Sequence, residues 1–555
     1  MNAPLEITLN KLKGIGTPDC ERWRNPIFAR YRYFGGYIAR HYYYQAKTKD
    51  YIVANQWLLG IQKEMRLANT GLYLDSSAEE LWDYCKALAR EMERTIHHSF
   101  RQGNKHLALA TIQTLIINKG VQVEWPTDPK PENLIPIFAR FCTPSWWRGK
   151  LKSLQTQSLE SLCRSMGLVS KHSGAGIYVS DIIFTRYLFN ARQNLKFLQS
   201  MEATNEDGDT FTLAELSDLS TSNPKIRRGE LMMRSRGAEE YAVTQNHHGV
   251  LFTVTTPSKY HCTLSSGKQN PKYAELSPID GQTQLNKVWA RVRAAWARQG
   301  IAPYGFRVAE PQHDATPHWH LWLFMPEEHL EQATAIFRHY SLEEDGYEPG
   351  AQEHRFDAKP IDPSKGSATG YIAKYISKGI DGHGIDKDLY GKDAKSSAQR
   401  IKAWASTWNI RQFQPIGMPS VTVWRELRRI SAEDVEQSVL FEATKAADEG
   451  DCLAFVEVMG GMNCKREDRP IRPLHIKRPE ENRYGEITKQ LKGIIYLSEA
   501  IITRLHCWTI KPARANQSDK SEDAKLSAMA SNLAAINAPD LRAPPSNPGS
   551  LDLCQ

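Results

Sequence analysis

Residues 316–325, TPHWHLWLFM, permit few folds. Side chains alternate across a strand, so His318, His320, Trp322 and Phe324 share one face while Trp319, Leu321, Leu323 and Met325 fill the other. A strand apolar on both faces is central to its sheet. Its two imidazoles fall at the strand's beginning, where Pro317 costs no ladder bond and a preceding loop leaves them open to solvent. That is an active-site position, although a His-x-His pair alone fits core packing equally well. The rest of the chain decides between the two.

From Gly249 short β runs alternate with helices. GVLFTVTTPS reads as a strand, and QTQLNKVWARVRAAWARQG places Leu285, Val288, Trp289, Val292 and Trp296 at helical spacing before stopping at Gly300. YGFRVAEPQ and HWHLWLFM are two strands joined by the turn-rich HDATP. A helix within PEEHLEQATAIFRHYSLEE, a strand within EHRFDAKPI and a helix within SATGYIAKYISKGI follow. The order β-α-β-β-α-β-α predicts an α+β domain over 249–385, a central antiparallel sheet of the split βαβ kind backed by helices. Residues 1–205 read as mostly helical, with aromatic and arginine stretches such as NPIFARYRYFGGYIARHYYYQ forming core. Residues 206–248 read as a basic connector able to touch DNA backbone, 386–510 as a second helical region, and 511–555, rich in Ala, Ser, Asn and Pro, as a disordered tail.

Composition narrows the partners. The 555 residues, 41% hydrophobic, have room for two to four domains with cores of their own. A net charge of +8 admits an anionic partner, yet 71 basic against 63 acidic residues is a mild excess. No apolar stretch nears the ~18 residues of a spanning helix, and MNAPLEITLNKLKGIG has no hydrophobic signal core, which predicts a cytoplasmic protein of a bacterial cell with no membrane partner. The nine cysteines are scattered with no Cys-x-x-Cys pair, against a disulfide framework or a structural zinc. SSGKQN, the nearest approach to a phosphate loop, lacks the upstream glycine and the Ser/Thr after lysine, so no nucleotide-driven motor is visible.

If the hairpin turns about Ala315, Gln312 lies opposite His318 and Glu310 opposite His320, with Cβ atoms ~5 Å apart. A carboxylate then joins two imidazoles in an open three-ligand site suited to Mg²⁺ or Mn²⁺. Gln312 and His313 are the weaker candidates for the third ligand. In GYIAKYISKG, Tyr371, Lys374, Tyr375 and Lys378 fall at i, i+3, i+4 and i+7, one stripe, whereas Ile372 and Ile376 point toward the sheet. Taken alone, such a stripe also fits a solvated surface with snorkelling lysines.

The strand LFTVTTPSKYH, the hairpin EPQHDATPHWHLWLF and the helix GYIAKYISKGID resemble the three motifs of the HUH endonucleases. More narrowly, they resemble the replication gene A proteins of tailed phages and prophages, a likeness that runs over about residues 140–430 and into RIKAWASTWNIRQFQPIGMPSVTVWREL. The resemblance implies that His318 and His320 bind a divalent metal ion and that Tyr371 and Tyr375 are paired nucleophiles; Glu310 as third ligand comes from the hairpin geometry instead. It also implies cutting of single-stranded origin DNA by a tyrosine, leaving a 5′-phosphotyrosine link and a 3′-hydroxyl from which a host polymerase starts rolling-circle synthesis. Lys374 or Lys378 would lower a phenol's pKa or neutralise the phosphate. Lacking a motor, such a protein needs a host helicase. The rival readings are a two-tyrosine transposase or plasmid initiator, a hydrolase using activated water, and a non-catalytic single-stranded DNA-binding protein.

Overall fold

The computed structural model describes residues 3–513 except 32, 33, 102–104, 173, 363, 365, 385, 388–390 and 392. Contacts divide the chain into two units, the first formed by Met1–Met166 with Asp181–Ile183 and Pro479–Ile487. This unit is helical because its apolar residues recur at helical spacing. In Ala78–Arg101, Leu81, Cys85, Leu88, Ala89 and Met92 form one buried stripe, packed with Trp147 and Leu151 of Pro144–Ser165. Phe28, Tyr31, Phe34 and Tyr42 are buried as well, so these aromatics of the N-terminal stretch are core.

The second unit holds the sheet. Its elements are α1 (Pro224–Thr244), β1 (His248–Thr255), α2 (Pro278–Arg298), β2 (Tyr304–Pro311), β3 (Pro317–Met325), α3 (Glu327–Leu342), β4 (Phe356–Pro360), α4 (Ala368–Ile380), α5 (Ala394–Trp408) and β5 (Phe413–Ile416). The strand order is β4-β1-β3-β2-β5, each neighbour antiparallel, so β3 lies in the middle as its two apolar faces require. On one face Phe252 meets Trp296 of α2, Phe337 of α3 and Phe356, and the Trp319 indole donates to Gln282 at 3.0 Å. On the other, Phe306, Val308 and Trp322 pack with Leu231 of α1 and Ile372, Ile376 and Ile380 of α4. The domain is α+β, and among the described residues the chain has three small antiparallel sheets.

Three segments differ from the sequence reading. Residues 206–248 are more than a connector, since α1 inserts Leu231, Ala238 and Ala242 into the core beside the sheet. The helical region expected over 386–510 is helical only as far as Cys452–Val458. After it come strands Ile471–Glu481, Ile487–Tyr496 and Glu499–Ile502, one three-stranded sheet. Several β-branched residues, Ile471, Ile476, Ile487, Ile494 and Ile495 among them, and a turn at Gly485 with φ +79°, favour strand pairing there. Thr509–Pro512 pairs with Met201–Thr204, so residues 511 and 512 of the expected tail lie in a strand; 514–555 fall outside the described residues. Among the described residues every cysteine is free, and no helix is long and apolar enough to cross a membrane.

Candidate active site

The hairpin between β2 and β3 closes through Gln312 and Thr316, whose amide and carbonyl bond at 2.8 Å, with Ala315 in the left-handed region at φ +71°. This tight closure places Glu310 opposite His318 and Val308 opposite His320. The register thus differs from the expected one, which set Glu310 against His320 and Gln312 against His318. The left-handed residue lets the chain reverse one position earlier. Because pairing moved by two residues rather than one, Glu310 kept its face.

Glu310, His318 and His320 bring donor atoms within 4.8 Å of one another. The two imidazole Nε2 atoms face each other at 2.9 Å. Glu310 is 2% exposed; its Oε2 accepts from the Lys378 ammonium at 2.8 Å, while its Oε1 and the His318 Nδ1 are buried without a hydrogen-bond partner. The other nitrogen of His320, Nδ1, lies 3.0 Å from the Thr253 hydroxyl. Burial, aided by His320's charge at His318 and by Lys378 at both, pushes each imidazole down to about 3. At neutral pH both are therefore uncharged and keep a lone pair. One carboxylate and two neutral imidazoles form a donor set matched to a divalent cation.

Of the four stripe residues, Tyr375 comes closest to the histidines. Its ring centroid is 4.4 Å from that of His320 and 4.9 Å from that of Trp322. Burial, and then the Glu310 carboxylate, push its phenol up to about 12. Tyr371, one turn earlier, is 44% exposed, and Lys374 is exposed too. Lys378 is buried, spanning from Glu310 toward the Tyr178 ring, 5.8 Å away. Gln312 and His313, the weaker ligand candidates, are engaged elsewhere: Gln312 donates to Thr255 at 2.7 Å, and His313 lies 3.4 Å from the Thr263 hydroxyl.

Thr253 and Thr255 went unassigned in the sequence reading. They pair with His320 and His318 across β1 and β3, which puts their hydroxyls on the imidazole face. The signal was present in the alternation Thr-Val-Thr of LFTVTTPS, but only the register shows which threonine meets which histidine.

The replication gene A protein of Escherichia phage 186 is 42% identical over 397 residues, 69% of this chain and 57% of that protein. That of Escherichia phage P2 is 37% identical over 396 residues, 68% of this chain and 52% of that protein. A probable replication endonuclease from a prophage-like region of Salmonella paratyphi A is 34% identical over 66% of this chain and 48% of its own length. The chain spans about half the length of the curated relatives it matches. No solved structure matches it. The model of the bacteriophage replication gene A proteins covers residues 73–383, including every candidate site residue, and by that match the chain belongs to the bacteriophage replication gene A protein family.

Proposed function

We propose that this protein initiates DNA replication by nicking one strand through tyrosine transesterification. The observation that carries the reading is a shared location: the donors of Glu310, His318 and His320 cluster together, and the His320 ring of that cluster lies 4.4 Å from the ring of Tyr375. Strand order supports it, because β3 lies between β1 and β2, which run the same way and are linked through α2, as the split βαβ arrangement of an HUH endonuclease requires. The relatives' names, replication gene A protein and probable replication endonuclease, point the same way.

The donor set fits Mg²⁺ or Mn²⁺. Glu310 Oε1 is a buried oxygen in want of a partner, and Thr253 is placed to accept from His320 Nδ1, which would leave Nε2 as the ligand atom. When bound, such an ion would supply the positive charge that holds and polarises a phosphodiester. The side chains do the rest. The Tyr375 oxygen attacks phosphorus, the new phosphorus–oxygen bond replaces the bond to the 3′ oxygen, and the phenolic proton ends on the leaving 3′-hydroxyl. One phosphodiester is exchanged for another, so the step is reversible. Lys374, exposed beside the phenols, offers its ammonium to the phosphate, while Lys378 orients Glu310. Tyr371, one turn away, acts as second nucleophile; after a round of synthesis it cuts the regenerated origin, and the released 3′ end closes a circle. A host polymerase extends the 3′-hydroxyl, and a host helicase exposes the strand.

The test is to incubate the protein with labelled single-stranded DNA and Mn²⁺, then boil in detergent. Label is expected to stay on wild-type protein, to be absent from Tyr371→Phe/Tyr375→Phe, and to persist in at least one single variant that yields few closed circles. Cleavage without an adduct would make this a hydrolase using activated water. Chelator-insensitive binding without cleavage would make it a DNA-binding protein. Either result sinks the proposal.

A further inference from the structure

Beside the site, the first turns of α1, the end of α4, α5, the residues before β5 and the helix Val421–Leu427 bring five cations together with two carboxylates. Arg425 grips Glu230 through Nε at 2.7 Å and Nη2 at 2.8 Å, and Arg228 pairs with Asp381. Arg227, Lys402 and Arg411 are left over; among the described residues no carboxylate lies within ion-pair distance of any of them. Arg227 and Arg411 meet at Phe413. The Arg227 guanidinium stands 5.8 Å from its ring, and Arg411 Nε donates to its carbonyl at 3.1 Å.

This arrangement is costly as it stands. Arg227 and Lys402 are half-buried, so they have lost part of their hydration, and Glu230 and Asp381, each already paired with another arginine, offset that loss only at longer range. Burial lowers the pKa of both against an opposing pull from Glu230 on Arg227 and from Asp381 on Lys402; Arg425 and Arg411 add to the lowering at Arg227, and Arg227 to that at Lys402. Like charges packed this way are relieved by an anion. Their position says which one. The Gln412 carbonyl accepts from the Ala309 amide at 2.7 Å, which sets Arg411 alongside Glu310 on the next strand. Gly379 leaves room for Phe413, whose ring would lie 3.0 Å from a β-carbon there, and Gly379 follows Lys378, the partner of Glu310.

We propose that Arg227, Lys402 and Arg411 form a phosphate-binding track that holds the backbone of single-stranded DNA next to the nicking site. The identity of the anion rests on the function proposed above; the charge imbalance does not. Guanidinium forks match phosphate oxygens, and contacts of this kind read backbone rather than sequence.

The experiment measures affinity of the full chain for a labelled oligothymidylate by fluorescence anisotropy across a salt series. In Arg227→Gln/Lys402→Gln/Arg411→Gln, log affinity should fall with log salt less steeply than in wild type, by about 2 in slope for three contacts at ~0.7 each, and affinity at low salt should drop at least ~10-fold. His318→Ala/His320→Ala should keep the wild-type slope. A triple variant with wild-type slope and affinity overturns the track. If the triple variant fails to melt cooperatively, Arg411→Glu, at an exposed position, serves instead, and unchanged affinity there overturns the proposal equally. The two readings fail separately: a wild-type protein that forms no adduct but loses slope in the triple variant upholds the track and removes the nicking function, whereas adduct formation with an unaltered slope does the reverse.

Discussion

The two oxygens of Glu310 have different surroundings: Oε2 takes the Lys378 ammonium, and Oε1 is buried with no donor. Glu310→Ala should therefore weaken Mn²⁺ binding, measured by calorimetry without DNA, and excess Mn²⁺ should partly restore cleavage. Thr253→Val should lower Mn²⁺ affinity about 10–100-fold because it frees the His320 ring to turn, while Thr253→Ser should not. Equal affinities for Val and Ser would deny Thr253 this role. The imidazoles also set a pH dependence. Both lie at about 3 in the folded protein against an ordinary 6.5, so between those values the unfolded chain binds protons that the folded chain refuses. Their contribution to stability is whole above pH 6.5 and is lost progressively as pH falls toward 3. Urea midpoints of metal-free wild type should accordingly fall faster on acidification than those of His318→Asn/His320→Asn; parallel falls would count against it.

At the scale of elements, α4 and the β2–β3 pair hold the site together. Ile376 is fully buried against the imidazole face, so Ile376→Ala should cost roughly 2–5 kcal/mol of stability and reduce adduct formation by loosening Tyr375. Gly305 has φ +144°, and a β-carbon there would fall 2.0 Å from the Trp322 carbonyl oxygen. Gly305→Ala should therefore push β2 from β3 and cost more than ~1 kcal/mol, read from chemical denaturation; a variant as stable as wild type would show that the strands adjust freely. The stripe on α4 was legible in its spacing, which gives the angle of each residue about the helix axis. Depth along the axis was not legible. Tyr371 and Lys374 reach solvent while Ile376–Ile380 are covered, because the later turns pass between the sheet and neighbouring helices.

For the whole molecule, a ligand that binds only the folded state raises its stability by mass action. Mn²⁺ at a hundred times its dissociation constant should stabilise wild type by about 2.7 kcal/mol and raise its melting temperature, with no such rise in His318→Ala/His320→Ala. A rise in both would place the ion elsewhere. Local pattern alone specified that residues 317–325 form a central strand, that both histidines share a face, that Ile372 and Ile376 face inward, and that strands and helices alternate through the sheet domain. Those are consequences of local periodicity, which the tertiary structure has no cause to override when every face finds an apolar partner. The hairpin register, set by one left-handed residue at Ala315, and the strands at 471–502, whose apolar residues follow no strict alternation, emerge only when the chain packs. Packing alone joined Lys378 to Glu310 and brought Arg227 and Arg411 to Phe413, with Lys402 near Arg227. Such meetings join residues far apart in the chain, and their geometry depends on how whole elements pack, which no local pattern encodes.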